Sequence, residues 1–522
     1  MTEIVFFFEL HQPRRMRRQF GRMLPSSMDK LEELYFDDYL NKEVFERVTQ
    51  KCYLPALRSI LQSAREANFR CALGLSGLFV EQCNWWGEEV LGLIRDLVDT
   101  GSCELTSQTY YHSLASMISP QEFKEQIEEH KKMLKDLFNV TPTAAENTEF
   151  IYNNDVAKIM EGMGYKVMLS EGVERVLGWR SPNYMYKAKN ANISVLMRNY
   201  RLSDDIGFRF TSRDWPEWPL TAEKYAGWLS KVTGDLIFLA LDFETFGEHH
   251  WPESGIHDFL SRLPVEIGTH RSLKFATPSE AAASVKPVDE VDVKDSTSWA
   301  DMERDTSAWL MNEMQRHCFD LVRYLEPMAK SSGEKYLRLW RLFTTSDNFH
   351  YMSTKGGGAG AVHSYFSPYN SPIESFLTFT WILADYRYRV YTALGDRSKY
   401  FRMLYGDLPE SHSFHFYTGF AKPTGIMARN LSELREVART VDIDSLEFHV
   451  RRGDLSRWSR EVLGCAGLSE ALERMKSMPS DMLRNLVVSE IDVEIKDAKR
   501  CLFGEGDEEK EGEDTEAKAG KT

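Results

Sequence analysis

Short apolar runs that break off into a carboxylate or an imidazole recur through the first 280 residues or so, and they narrow the possible folds most sharply. The clearest is LIFLALDFETFGEHHW, residues 236–251. Here Leu236, Ile237, Phe238, Leu239 and Leu241 lead straight to Asp242 and Glu244, then to Gly247, Glu248, His249, His250 and Trp251. Comparable runs lie at 4–9 (IVFFFE), 69–75 (FRCALGL), 103–106 (CELT), 166–169 (KVML), 193–197 (ISVLM) and 273–276 (LKFA), with a weaker one near 143–148. Several do not alternate, as expected of parallel strands buried on both faces. Helix-like stretches separate them. Ser119-Pro120-Gln121-Glu122 and Thr277-Pro278-Ser279-Glu280 each place a capping hydroxyl, a proline at the first helical position and a glutamate spaced for a capping box. A helix over about 88–99 ends before Gly101, a good C-cap residue. Repeated strand-then-helix units predict an α/β fold: a barrel over 1–285 with its chemistry at the strands' C-terminal ends.

Polar groups gather at those ends: His11, Glu104, Glu149, Glu171, Asp242 and Glu244. Residues two apart in a strand share a face, so Asp242 and Glu244 point the same way if the strand persists that far. Each unpaired buried charge costs several kcal/mol, so a cluster of such acids reads as a site, although any single one reads equally well as an ion pair. Aromatic residues crowd the same loops, among them Trp85, Trp86, Tyr110, Tyr111, Phe246 and Trp251. Flat rings beside carboxylates suit sugars, whose C–H faces pack on π surfaces while their hydroxyls take charge-assisted hydrogen bonds. A metal centre is not expected. The HExxH pattern is absent, and the position four after His112, where a sugar deacetylase would want a second histidine, is Ser116. No cofactor motif occurs.

Beyond the barrel, the Pro/Asp/Val-rich stretch 286–298 reads as a linker. Residues 286–405 form a mostly helical region interrupted by the glycine-rich KGGGAGAVHS (355–364). Residues 410–500 read as a small helical module whose most distinctive stretch is FHVRRGDLSRW (448–458). The end, 501–522, reads as an acidic disordered tail; eight acids and three lysines fall in 505–522. The formal charge of −15 argues against nucleic acid or an anionic membrane as partner. Seven cysteines without metal spacing predict reduced thiols in a cytoplasmic protein. MTEIVFFFELHQP lacks a basic region before its apolar run and reads as a first strand rather than a signal peptide, and no run reaches bilayer length.

Five separated segments, in order, resemble glycoside hydrolase family 57, the group of α-amylase-like and 4-α-glucanotransferase-like enzymes. They are HQP (11–13), GSCELTSQTYYHSL (101–114), ENTEFIYNN (146–154), LDFETFGEHHW (241–251) and TTSDNFHYMSTK (344–355). RLSDDIGFRF (201–210) and YFSPYNSPIESF (365–376) resemble the family's α-amylase branch. Cys103, Phe150 and the spelling SDNFHYM depart from common usage without removing a catalytic acid.

The resemblance covers about residues 3–405. It implies a (β/α)7 barrel, a helical region completing the cleft, and retention of configuration. It places the nucleophile on Glu149 and the general acid/base on Asp242. His11, Glu104, His112, Asp205, Arg209, Phe246, His249, Trp251 and Asp347 are the residues expected to bind an α-glucan or maltooligosaccharide. A proton held on Asp242 requires a raised pKa, which the nearby Glu149 charge would supply. Three alternatives stay open on sequence: a 4-α-glucanotransferase using the same residues, a non-catalytic glucan-binding protein, and a metal-dependent deacetylase.

Overall fold

The computed structural model describes residues 1–20, 30–355 and 367–504. Ten strands form one sheet system: β1 (Thr2–Leu10), β2 (Cys71–Leu75), β3 (Cys103–Thr106), β4 (Ala144–Ala145), β5 (Val167–Glu171), β6 (Met185–Ala188), β7 (Ser194–Arg198), β8 (Leu236–Asp242), β9 (Leu273–Phe275) and β10 (Asp289–Val291). Seven of them close a parallel ring. Strand β1 pairs with β2 on one side and with β8 on the other, β2 with β3, β4 with β5, and β5 with β7. Two joints are short. Ser107 N–H donates to Ala144 O (3.0 Å) and Glu146 N–H to Ser107 O (2.9 Å), joining β3 to β4. Asn199 N–H donates to Phe238 O (2.8 Å), joining β7 to β8. The fold is thus a (β/α)7 barrel, and a helical region follows it in the chain. Strand β9 lies beside the first half of β1, and antiparallel β6 with β10 extends the sheet outside the ring.

Side-chain parity explains how the barrel is filled. Val5 and Phe7 of β1 point into the ring with Ala72, Leu169, Leu196, Phe238 and Ala240, while Ile4, Phe6 and Phe8 face the surrounding helices. Each fully buried large apolar side chain contributes about 1.5–3 kcal/mol. Continuing the inward parity brings Glu9 on β1 and Asp242 on β8, direct neighbours in the register, to the barrel's C-terminal mouth.

Several expectations change. The weak run near 143–148 contributes only the two residues of β4. Thr277 forms the full capping box, but at Ser119 only half forms: Glu122 N–H donates to Ser119 Oγ (3.1 Å), while the Glu122 carboxylate turns to Arg341 Nε (2.7 Å). The segment 286–298 is no linker. Val291, Val293, Thr297 and Ser298 are buried, β10 pairs with β6, and Thr297 exchanges backbone hydrogen bonds with Tyr152 (2.9 and 3.0 Å). Two compact units result, with boundaries at neither 285 nor 405. One comprises Met1–Arg323 and Arg341–Leu383; the other comprises Tyr324–Trp340 and the described residues from Ala384 on.

The module expected to be purely helical carries a hairpin, β11 (Phe414–Gly419) and β12 (Lys422–Ala428), ahead of five helices between Leu431 and Phe503. The glycine-rich loop, apart from Lys355, the first residues of YFSPYNSPIESF, and the acidic tail from 505 on lie outside the described residues. Among the described residues no helix is long and apolar enough to cross a membrane.

Candidate active site

A cavity of about 150 Å³ opens at the barrel mouth. Glu149 and Asp242 both line it, with Glu9, His11, His112, Asp347 and Glu244 around them. Each main group arrives by a different route. Asp242 is the last residue of β8, and the next three residues turn as a 3₁₀ helix, so the shared strand face expected for Asp242 and Glu244 ends there; Glu244 nonetheless lines the same cavity.

Glu149 and Phe150 sit in the left-handed backbone region, φ +60° and +53°. Such strain persists only where the surroundings hold it. Phe150 is anchored in the barrel interior against Phe7 (ring centroids 5.5 Å) and Trp299 (4.7 Å), and Asn147 Nδ2 donates to Ile151 O (2.9 Å). His112 (φ +47°) and Asp301 (φ +58°) line the cavity with the same left-handed geometry.

The helical part of the same unit completes the site. Arg341 bonds Glu122 (2.7 Å), Glu125 (2.8 Å) and Glu129 (3.1 Å) on the helix Pro120–Phe138. Beyond it, Leu114 N–H donates to Thr344 O (2.9 Å), and Ser346 N–H to His112 O (2.9 Å). These contacts seat the helix Ser346–His350, so that Ser346 Oγ donates to Glu149 Oε1 (3.1 Å) and Asp347 meets His11 Nε2 (3.0 Å). His11 also bonds Ser76 Oγ through Nδ1 (2.7 Å) and stacks on His112 (3.9 Å, 20°).

Charge is divided unequally between the two principal acids. Burial opposes ionisation of Glu149, but the hydrogen bond and charge of His112, 3.5 Å away, outweigh it together with the Trp299 indole N–H at 2.7 Å; the carboxyl falls to about 2. Asp242 moves the other way, to about 7, through burial first and then the charges of Glu149 and Glu9. Burial lowers His112 too, yet Glu149 and Glu9 raise it to about 9, so it is a cation. Burial first, and then the His112 cation stacked against it, lower His11 to about 4, so it is neutral. Glu244 is pushed to about 8 by burial and the Asp242 charge, and the Tyr53 hydroxyl bonds it.

Of the expected binding residues, His11, His112, His249 and Asp347 line the cavity; five do not. Glu104 lies near the start of β3, away from the mouth, where its carboxylate takes the Ser279 N–H (2.9 Å) and hydroxyl. Asp205 and Arg209 pair with each other (2.6 Å) at the helix Tyr200–Gly207, while the adjacent Asp204 reaches Arg198 (2.7 Å). Phe246 is core, packed edge-on to Phe8 (5.7 Å). Trp251 is 53% exposed under Lys51 Nζ (4.4 Å).

Sequence reasoning missed Glu9, Arg198 and Trp299 as lining residues. Inward parity along IVFFFEL would have found Glu9, and the charge ending ISVLMR marks Arg198. Trp299 had no signal, because it follows a stretch read as a linker. Arg198 bonds Glu171 (2.9 Å), which explains that strand-end acid as an ion pair. Among the described residues no group of three or more His, Cys, Asp or Glu is arranged to hold a metal ion.

Comparison with known proteins identifies the family and the fold. The profile described as Glycosyl hydrolase family 57 matches residues 5–294. A Methanocaldococcus jannaschii protein named "Putative alpha-amylase" is 43% identical over 399 residues, covering 74% of this chain and 84% of that protein. The GH57-type branching enzyme of Pyrococcus horikoshii shares the fold at 14% identity (TM-score 0.54; 75% of this chain, 89% of that one). The 4-alpha-glucanotransferase of Thermococcus litoralis, of whose length this chain spans 60%, aligns over 86% of this chain at 18% identity with a TM-score of 0.47. On its sequence match and its barrel, the chain belongs to glycosyl hydrolase family 57 and is a glycoside hydrolase.

Proposed function

We propose that the chain hydrolyses α-1,4-glucans with retention, in the manner of an α-amylase, with Glu149 as nucleophile and Asp242 as general acid/base. The observation that carries this reading is the split between two carboxyl groups lining one cavity: Glu149 is ionised, and Asp242 is poised near neutrality. Glu149 attacks the anomeric carbon and forms a glycosyl ester while Asp242 gives its proton to the leaving oxygen. Esterification removes the Glu149 charge that helps hold a proton on Asp242. Asp242 then stays ionised and takes the proton of the water that attacks the anomeric carbon.

His11, His112, His249 and Asp347 hold sugar hydroxyls in this reading, and the name of the M. jannaschii relative agrees with an α-glucan substrate. Residues 344–350 act as part of the catalytic unit, and 410–500 as an accessory module. All seven cysteines are free, which suits a reducing, cytoplasmic setting.

Incubation with maltoheptaose tests the assignment. Shorter oligosaccharides with new reducing ends and α-configured first products are expected. Products longer than the substrate would replace hydrolysis by transfer to a sugar hydroxyl. Binding without turnover would overturn the enzymatic reading.

A further inference from the structure

Beneath the cavity a row of side chains leads from β1 to the proposed nucleophile. Glu9 Oε1 accepts from Gln108 Nε2 (2.7 Å), Gln108 Oε1 meets His112 Nδ1 (2.9 Å), and His112 Nε2 lies 3.5 Å from Glu149 Oε1. All four residues are buried or nearly so.

The donors and acceptors in this row permit one arrangement. An ionised carboxylate only accepts, so Glu9 obliges Gln108 to turn its NH₂ inward and its carbonyl toward His112. A carbonyl also only accepts, so His112 Nδ1 must carry hydrogen. A neutral ring with hydrogen on Nδ1 would aim the Nε2 lone pair at a carboxylate. Only the imidazolium bonds at both ends.

A second acid keeps Glu9 an acceptor. Glu146 Oε1 is buried with no hydrogen-bond partner among the described residues, and it lies beside Glu9, whose own carboxyl is raised by burial and held back by the His112 charge and by Glu146. The two carboxyl groups crowd over Gly74 of β2: a Cβ there would stand 2.3 Å from Glu146 Oε1 and 2.7 Å from Glu9 Oε2. One proton shared by the pair, resident on Glu146, satisfies that contact. Burial and the Glu9 charge raise Glu146 well above the carboxylate range, in keeping with this.

We propose that Gln108, oriented by the Glu9–Glu146 pair, is a positioning residue that makes His112 present an N–H rather than a lone pair to Glu149. The inference rests on Glu149 being the nucleophile. It adds two buried residues behind the cavity lining, Gln108 and Glu146, that act through Glu9 and His112 to keep Glu149 ionised. The other groups facing Glu149 include Trp299, Ser346, Asp347, Asp242, His11 and Glu146; those facing His112 include His11, Asp347 and Asp242.

The test uses the full chain with Gln108→Met, which keeps the volume and removes both hydrogen bonds, and Glu9→Gln, which removes the charge. Selective ¹⁵N-histidine labelling reports the His112 ring, and kcat/KM on maltoheptaose is followed against pH. Wild type is expected to show both ring nitrogens protonated at pH 7, with a midpoint of about 9. Q108M is expected to lower the His112 midpoint and to raise the acid limb of kcat/KM, because Nδ1 loses its acceptor while the Glu9 and Glu149 charges remain. E9Q, which removes a charge that raises His112, should move both readouts the same way and at least as far, and it decides the matter if circular dichroism shows Q108M unfolded. A His112 midpoint and an acid limb both unmoved in folded variants overturn the positioning role of Gln108. E149Q run in parallel separates the two readings: wild-type activity there would remove the nucleophile assignment whatever His112 does.

Discussion

Two histidines in this protein sit among carboxylates and aromatic rings, and they behave in opposite ways. His112 at the barrel mouth has a left-handed backbone, rises to about 9 and faces an open cavity. His449, in the second unit and within the distinctive stretch FHVRRGDLSRW, is equally buried, but every group around it is answered. Its Nδ1 bonds Asp454 (3.0 Å), and its Nε2 accepts the Tyr417 N–H (2.8 Å). Arg452 (3.0 Å) and Arg457 (2.8 Å) complete Asp454. Phe414 packs against the ring (4.9 Å), and burial lowers the imidazole. The motif that stood out most beyond the barrel therefore organises a fold. The cluster proposed to do the chemistry is the one whose charges are left incompletely neutralised around a cavity. Perturbed ionisation by itself does not separate the two; a cavity and a strained backbone beside it do.

The sharpest way to break this contrast is to neutralise the two principal acids. Glu149→Gln is expected to reduce kcat by at least about 10³-fold, the scale seen when a nucleophile is lost. Asp242→Asn should cost about 10²–10⁴-fold, the range for a general acid/base. The pH dependence has a defined sign. In the proposed mechanism Asp242 works from its protonated form, and its folded-state value is about 7, so wild-type activity should fall as pH rises through that value. In D242N that alkaline limb should vanish. Steady-state kinetics on maltoheptaose from pH 4 to 9 measures both, and a wild-type alkaline limb retained in D242N would remove Asp242 from its role.

A smaller effect tests Trp299, the residue just after the stretch that sequence read as a linker. Trp299→Phe keeps the packing on Phe150 and deletes the indole N–H bonded to Glu149 Oε2. A hydrogen bond to a charged group contributes about 1.5–3 kcal/mol, so kcat/KM is expected to drop by about tenfold or more with little change in thermal midpoint. The smallest kinetic effect is expected at the other histidine. His449→Ala should leave kcat/KM unchanged and lower unfolding stability by about 1–3 kcal/mol, because the Tyr417 N–H loses its acceptor. Urea unfolding read beside kinetics checks this; lost activity with unchanged stability would put His449 in the chemistry and dissolve the contrast.

Much of the barrel was legible because burial writes itself locally. Strand β8 matches its apolar run almost residue for residue, since a strand enclosed on both faces needs continuous apolar side chains. The two-residue β4 was barely visible, because two alanines and a pair of backbone hydrogen bonds leave almost no pattern. Hairpin β11–β12 was missed for a related reason: its burial is patchy and its second strand is mostly exposed. Among candidate residues, Glu149, Asp242, His11, His112 and Asp347 could be picked by chemical type and position after a strand or in a matching segment. Glu104 satisfied the same criteria and failed, because it lies near the beginning of its strand and not at the end.

The amino-acid order alone thus determined the barrel, the alternation that aims Glu9 and Asp242 inward, and the acids to consider, because hydrophobic periodicity and side-chain parity act between near neighbours in the chain. Tertiary structure alone decided which acid carries charge and which holds a proton. That choice depends on burial, on the His112 cation, on the Trp299 indole and on Ser346, groups far apart in sequence that meet only when the ring closes and the helix Ser346–His350 is seated against it. Electrostatic free energy follows distance and desolvation in space, and neither is written along the chain.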